Sequence, residues 1–262
     1  MSYGRSVRSE ISGLGAVLLL LACGGPTAAP AKHAELHVSV AVSLRPAVAE
    51  ALAAYRSQQP SVDVLLNAGG SGVLLQQALR GAPVDVLISA SPEEIDRLVA
   101  GDLALAASRR RIASNRLVVV TPAGLPVPAR VEDLLLPEFD RVAVGNVRTS
   151  PLGRYTREAL QALGLFERIR GRLVPAENAR QVVEYVARGE VAAGIVYRTD
   201  ARLLEDRVVT GPEIPSDLHA PITYEGVVLA APGKQRTSVS FLNWLASEPG
   251  QAALARHGFR SP

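Results

Sequence analysis

Short apolar runs alternate with amphipathic segments along most of the chain, and each change of period predicts a new element. Residues 37–41 alternate polar and apolar side chains as a strand does, whereas Val48, Leu52 and Tyr55 recur at helical spacing. Alternating strands and helices favour an α/β fold with a largely parallel sheet and helices on both faces. The elements predicted in this first half are strands at 37–41, 62–66 and 84–88, and helices at 46–59, 72–79 and from Ser91 onward.

The pattern restarts at Asn115 and predicts a second α/β unit. Two units of about 100 residues each agree with the usual domain size. The apolar strands near 117–120 and 226–230 are where we expect the chain to cross between the units. We therefore predict lobe I at 35–116 and 226–262, and lobe II at 117–225. The further predicted elements are strands at 115–121, 141–145, 193–197 and 227–230, and helices at 131–136, 151–163, 179–188 and 241–257.

The first residues differ from the rest of the chain. Arg5 and Arg8 precede an apolar run at 13–22 that is shorter than the roughly 20 residues of a membrane-spanning helix, and this arrangement is typical of an export signal. Residues 1–22 are therefore predicted to be a signal peptide, and 23–34, rich in Gly, Pro and Ala, a flexible tether. The protein is expected in the periplasm or the cell envelope.

Leu20–Cys23 resembles a bacterial lipoprotein cleavage site, at which Cys23 becomes the lipid-bearing first residue of the mature chain. We therefore expect a lipid anchor at Cys23 that holds the protein on a membrane. The alternative is an ordinary cleaved signal peptide that ends near Ala28 or Ala29.

Composition excludes several classes of function. The formal net charge is only +3, and no basic run interleaved with aromatics is present, so nucleic acid is not an expected partner. The four histidines are scattered without metal-ligand spacing or an acid placed to complete a catalytic triad. Neither a bound metal cation nor a cofactor is therefore expected, and the protein is not predicted to be an enzyme.

Loops rich in small or hydroxyl residues precede several predicted helices. A helix N-terminus has unpaired backbone N–H groups and a partial positive charge, so several of them together can hold a small anion without lysine or arginine. This arrangement is typical of a binding site. The loops are Ala41–Leu44, Gly69–Gly72, Thr149–Gly153 and Glu177–Arg180.

Several segments, in order and spacing, carry a resemblance to a known family. They are Ala41–Leu44, Gly70–Gly72 with Gly81–Ala90, Asn115–Val120, Ala143–Gly145, Pro151–Gly153, Pro175–Glu177 and Gly194–Tyr197. The chain resembles the molybdate-binding proteins of bacterial ABC transporters. The resemblance implies a two-lobed periplasmic-binding-protein fold of type II with two crossing hinge strands. It also implies a monomer that delivers molybdate or tungstate to a membrane permease.

The family's ligand residues are carried over position by position. The resemblance implies that serine and tyrosine hydroxyls and backbone N–H groups hold the anion, at Ser43, Ser71, Leu152, Ala179 and Tyr197. Possible additional ligands are Ser150, Gly72 and Arg180. The chain departs from the family pattern at Leu152, where a small residue is usual, at Ser150, where an apolar residue is usual, and at Asn146, where an aspartate is usual.

Each of these residues also has a structural interpretation. Ser43 and Ser150 can cap the helices that follow them, and for Ser150 capping is the preferred interpretation. Asn178 with Gln181 forms a predicted capping box, as does Ser91 with Glu94. Tyr197 can be a core tyrosine, and Arg180 a solvated arginine, since a cation in a first helical turn opposes the helix dipole.

The residue types favour an oxyanion that has no proton. A tetrahedral dianion has only acceptor oxygens, which suit neutral donors, whereas phosphate keeps a proton near neutral pH and favours a site with a carboxylate. Sulfate, with the same charge and shape but a smaller size, is an alternative ligand. An esterase-like enzyme that uses Ser71 is a second alternative, although Val73 stands where a nucleophile elbow needs glycine.

Overall fold

The computed structural model of the protein describes residues 33–230 and 233–262. The predicted signal peptide, Cys23 and the tether as far as Lys32 lie outside the described residues. Over these two ranges, none of the helices combines the length and apolar character that crossing a bilayer requires.

The first of two five-stranded sheets has the strand order β2-β1-β3-β10-β4. The strand β1 pairs in parallel with β2 and β3, whereas β10 runs antiparallel to β3 and β4. Its central strands are almost fully buried between helices on both faces. The strands are β1 Ala34–Ala41, β2 Val62–Gly69, β3 Val86–Ser89, β4 Arg110–Ser114 and β10 Thr223–Val228.

The second sheet repeats this arrangement with the order β7-β6-β8-β5-β9. The strand β6 pairs in parallel with β7 and β8, and β5 runs antiparallel to β8 and β9. The predicted pair of α/β units is therefore confirmed, and the sheets are mixed because the strands next to the crossings run antiparallel. The strands are β5 Leu117–Pro122, β6 Val142–Gly145, β7 Leu173–Ala176, β8 Ala193–Tyr197 and β9 Val208–Glu213.

Nine α-helices lie within the described ranges and cover the two sheets. The segment predicted as a helix at 131–136 is a 3₁₀ turn, Val131–Leu135, so that prediction was wrong in type. The helices are α1 Arg45–Gln58, α2 Ser71–Leu79, α3 Pro92–Ala100, α4 Pro151–Ala162, α5 Phe166–Ile169, α6 Ala179–Ala187, α7 Arg198–Arg202, α8 Gln235–Ala246 and α9 Glu248–Arg256.

The chain connects the two sheets twice. It leaves the first sheet at the end of β4 and enters the second through Asn115 and Arg116, and it returns over residues 214–222 into β10. The second connection therefore precedes Thr223, somewhat earlier in the chain than the crossing that the apolar pattern suggested. The predicted limits of the two lobes otherwise stay a prediction.

Candidate anion-binding site

One small cavity of about 20 Å³ is lined by residues from both sheets. It lies among the ends of β1, β2 and β8 and the first turns of α2, α4 and α6. The carried-over residues Ser43, Ser71, Leu152, Ala179 and Tyr197 all line it. The other lining residues are Ala41, Val42, Gly70, Ala90, Ser150, Pro151 and Asn178.

The two serines on the side of the first sheet follow parallel neighbouring strands. Carboxyl ends of parallel strands meet at one edge of a sheet, which is the usual position of a ligand site in α/β folds. Ser43 lies in a 3₁₀ turn, Val42–Leu44, directly after β1, and Ser71 begins α2 after β2. Both are buried.

Each serine oxygen already has one partner in the fold. The Ser71 Oγ accepts a hydrogen bond of 3.0 Å from the Ala90 N–H, so its own proton is free to point into the cavity. The Ser43 Oγ lies 2.8 Å from the Tyr224 Oη, and the pair is buried. Neither serine occupies the N-cap position of the helix that follows it, because the N-cap residues of α1 and α2 are Leu44 and Gly70.

Two glycines allow the first turn of α4 to approach the end of β6. A Cβ on Gly153 would lie 2.4 Å from the Gly145 carbonyl oxygen, and a Cβ on Gly145 would lie 2.6 Å from the Gly153 nitrogen. Since both obstacles are backbone atoms, no side chain fits at either position. The close approach brings the N-terminus of α4, including Leu152, to the wall of the cavity.

Ser150 corrects the preferred interpretation from the sequence. It occupies the N-cap position of α4, but its hydroxyl makes no hydrogen bond to the N–H groups of the helix. The side chain is buried and lines the cavity instead. Its departure from the family pattern therefore adds a hydroxyl to the candidate site.

The helix α6 also begins at the cavity. The Asn178 Oδ1 accepts a hydrogen bond of 3.0 Å from the Gln181 N–H, which confirms the predicted cap. In a capping box the Gln181 side chain would accept a hydrogen bond from the Asn178 N–H. Here the Gln181 Oε1 instead accepts from the Glu177 N–H at 2.7 Å. Ala179, the first residue of the helix, lies at the cavity, where first-turn N–H groups have no partner within a helix.

Tyr197 ends β8, is 2% exposed and lines the cavity. Its hydroxyl has no hydrogen-bond partner among the residues that the structure describes. Burial raises the pKa of Tyr197 well above its ordinary value of 10, so the phenol keeps its proton. A buried donor without a partner is costly, and an anion in the cavity would supply the missing acceptor.

The cavity lining contains hydroxyls, an amide and backbone groups but no Lys, Arg, His, Asp or Glu. Gly72 and Arg180, which the resemblance suggested as additional ligands, do not line it. A Cβ on Gly72 would lie 2.1 Å from the carbonyl oxygen of Thr149, which belongs to the other lobe. Gly72 therefore permits close contact between the lobes.

An unexpected acid lies close to this site. Asp200, in α7 three residues after Tyr197, is 0% exposed, and neither of its oxygens has a hydrogen-bond partner within the described ranges. Burial raises its pKa from 3.8 to about 7, and the charge of Arg180 partly opposes that rise. Arg180 thus acts on a buried carboxyl and is not simply a solvated side chain.

Sequence reasoning missed the residues that support the site. Tyr224 contacts the cavity-lining Ser43, Asn115 contacts Tyr224, and Arg154 joins Glu93 and Glu94 across the lobes. Glu94 is thus used in an ion pair and not in the predicted capping box, although the Ser91 Oγ does accept from the Glu93 N–H at 3.2 Å. No local pattern reveals pairs separated by 60 to 181 residues.

No histidine or acid lines the cavity, and Ser71 therefore lacks an adjacent base. Within 33–230 and 233–262, no group of three or more His, Cys, Asp and Glu side chains is arranged to hold a metal ion.

Comparisons with known proteins agree with this description. YvgL of Bacillus subtilis, whose name describes an ABC transporter substrate-binding lipoprotein, is 30% identical and covers 95% of this chain and 96% of its own. The molybdate-binding protein ModA of Haemophilus influenzae is 30% identical over 95% of this chain and 98% of its own. The periplasmic molybdate-binding protein of Azotobacter vinelandii has the same fold, with a TM-score of 0.78 at 23% identity over 87% of this chain and 99% of its own. The family model for bacterial extracellular solute-binding proteins matches residues 36–260, and the chain belongs to that family.

Proposed function

We propose that the protein captures molybdate, and also tungstate, between its two lobes and delivers the anion to the permease of an ABC transporter. The observation that carries this proposal is the donor set of the 20 Å³ cavity, in which hydroxyl and backbone N–H groups converge without any charged side chain. An acceptor-only anion suits these donors, and a ligand that must itself donate a proton does not.

The donor set is sufficient for tight binding. Hydrogen bonds to a charged group contribute about 1.5–3 kcal/mol each. The hydroxyls of Ser43, Ser71, Ser150 and Tyr197 and the first turns of α4 and α6 provide at least six donors. Their sum of about 9–18 kcal/mol compares with a cost of about 4–15 kcal/mol for immobilising a ligand.

The volume of the cavity favours a small inorganic ion. Sites for drug-sized molecules measure about 300–1,000 Å³, so a sugar or an amino acid does not fit the cavity described here. Sulfate is the remaining alternative within the same fold, since it differs from molybdate in size and not in charge or shape. The names of the ModA relatives support molybdate over sulfate.

Thermal unfolding of the mature protein with molybdate, tungstate, sulfate and phosphate tests the ligand. An anion at 100 times its dissociation constant adds about 2.7 kcal/mol of stability. We expect a shift with molybdate and tungstate, and the shift should shrink in Ser71→Ala, which removes one donor. A shift with sulfate alone would assign the site to sulfate, and no shift with any of the four would contradict the proposal.

We also propose that the mature protein is anchored by a lipid on Cys23, as the sequence at 20–23 predicts. The name of YvgL, a lipoprotein, supports this assignment. Fractionation of expressing cells tests it, because Cys23→Ser should move the protein from the membrane fraction to the soluble envelope fraction. Equal partition of both forms would favour a simply cleaved signal peptide.

A further inference from the structure

A hydrogen-bond chain runs behind the cavity from the connection between the lobes to Ser43. It begins at Asn115, whose Oδ1 accepts a hydrogen bond of 2.9 Å from the Arg116 N–H. This bond fixes the orientation of the amide. The Asn115 Nδ2 therefore donates to the Tyr224 Oη at 3.3 Å and to the Thr199 Oγ1 at 2.9 Å.

The surroundings of Tyr224 determine the direction of its proton. Tyr224 is 0% exposed, and burial raises the pKa of its phenol, which keeps its proton. Since the Tyr224 Oη accepts from Asn115, its own proton needs an acceptor, and the Ser43 Oγ lies 2.8 Å away. The neighbouring Tyr197 hydroxyl does not serve, because it has no partner in the described part of the chain.

The contact with Tyr224 also determines the direction of the Ser43 proton. If Ser43 donated to Tyr224, the phenol proton would be buried without an acceptor, which is strongly unfavourable. The Ser43 Oγ therefore accepts from Tyr224, and its own proton points toward the cavity that it lines. The Ser71 oxygen likewise accepts a hydrogen bond, from the Ala90 N–H, which leaves the Ser71 proton available to the cavity.

We propose that Tyr224, oriented by Asn115, is a specificity-determining positioning residue that occupies one acceptor site of the Ser43 oxygen, directs the Ser43 proton into the cavity and so disfavours anions that carry a proton. This inference rests on the proposed function, because it assumes that a tetrahedral oxyanion occupies the cavity. It goes further by assigning the rejection of hydrogenphosphate and hydrogenarsenate to a residue that does not touch the ligand. In Tyr224→Phe, the Ser43 hydroxyl is free to rotate and to accept as well as donate.

The test measures dissociation constants for molybdate and for hydrogenarsenate at pH 8, directly and by competition. The affinity for each anion is compared between variants, so the difference in size between the two anions does not affect the result. In Tyr224→Phe we expect molybdate affinity to fall about 5- to 20-fold, the effect of one supporting hydrogen bond. Arsenate affinity should stay constant or rise. The dissociation constant for arsenate divided by that for molybdate should therefore fall at least 5-fold.

The chain offers a matched control. Tyr55 is another buried tyrosine of the first lobe, packed edge-on against Phe241 and away from the cavity, and Tyr55→Phe makes the same chemical change. It should leave both constants unchanged. A double-mutant cycle adds a second readout, because the effect of Tyr224→Phe on molybdate affinity should vanish when Ser43→Ala is already present.

The outcomes separate this inference from the proposed function. If the unmodified protein binds none of molybdate, tungstate and sulfate, the proposed function fails and the role of Tyr224 with it. If the protein binds a dianion but Tyr224→Phe lowers both affinities equally, or its effect persists beside Ser43→Ala, Tyr224 has only a structural role and the inference is overturned.

Discussion

The Arg154 Nη2 donates to the Glu94 Oε1 at 2.7 Å across the cleft between the lobes. Arg154 lies in the first turn of α4, next to the second sheet, and Glu94 lies in α3, next to the first. The Glu94 side chain is only 4% exposed, and it also accepts from the Ser89 hydroxyl at 3.0 Å. This largely buried ion pair joins α4, on the second sheet, to α3, on the first.

Removing the arginine should destabilise the closed form selectively. Breaking a buried pair by deleting one partner costs about 3–5 kcal/mol, because a buried charge is left uncompensated. Opening of the cleft would let water reach Glu94 and relieve that cost. We therefore expect Arg154→Ala to weaken anion binding at least 10-fold, mainly through faster dissociation, as measured by stopped-flow displacement.

The control for this variant is Arg170→Ala. Arg170 pairs with Glu167 on an exposed turn, where both side chains are more than 70% exposed, and such pairs contribute little. Its dissociation rate should match that of the unmodified protein. An unchanged rate in Arg154→Ala would show that the pair does not hold the lobes together.

Gly72 should be essential for closure. Its Cβ position lies 2.1 Å from the Thr149 carbonyl oxygen, and a backbone atom cannot move aside as a side chain can. Gly72→Ala should therefore lower anion affinity 100-fold or more, while the ligand-free protein unfolds at nearly the same temperature. Calorimetric titration and a thermal melt measure the two quantities.

Gly171→Ala is the matched control, since a Cβ there meets nothing within 4 Å. It should change neither quantity. Full affinity in Gly72→Ala would mean that the ligand binds with the lobes further apart than in the structure.

Most of the fold followed from the sequence because its signals are local. The apolar strands 193–197 and 141–145 and the helix after Ser150 were predicted within one or two residues, since period and capping residues define them. β4 and β9 were missed because their sequences, RRIAS and VVTGPE, are polar or contain Gly and Pro. Their strand structure depends on pairing with β10 and β5.

The candidate site was predictable only in part, because some of its residues have local sequence signals and others depend on contacts with distant parts of the chain. Loops that precede helices are visible in the sequence, so Ser43, Ser71 and Ala179 could be named in advance. Tyr224 and Glu94 could not, because their partners Ser43 and Arg154 lie 181 and 60 residues away. For Ser150 the local signal was misleading, because Ser150 occupies the N-cap position of α4 but its side chain makes no cap hydrogen bond.

Ser150→Ala separates ligand binding from capping. Because the hydroxyl makes no cap hydrogen bond, ligand-free stability should stay within about 0.5 kcal/mol of the unmodified protein. Affinity for the anion should fall roughly 5- to 20-fold through the loss of one donor. Asn178→Ala provides the contrast, because it removes a cap that does bond, at a cost of about 1 kcal/mol of stability. A comparable loss of stability in Ser150→Ala would restore the capping interpretation.

Asp200 should make the stability of the ligand-free protein fall as pH rises. Its pKa is about 7 in the folded protein, raised by burial and partly lowered by Arg180, against an ordinary value of 3.8. Between these values the folded state binds more protons than the unfolded state, so rising pH favours unfolding. Each unit of pKa difference corresponds to about 1.4 kcal/mol, which gives a penalty on the order of a few kcal/mol above pH 7.

Asp200→Asn removes this titration while keeping the shape of the side chain. Urea unfolding at pH 4, 5.5, 7 and 8.5 should show the variant gaining stability relative to the unmodified protein from pH 4 to 7, with a plateau above. Asp206→Asn, at an exposed position, makes the same chemical change and is the control. A difference for Asp200→Asn that is constant with pH would mean that the Asp200 carboxylate is stabilised in the folded state, for example by water that reaches it from the cavity.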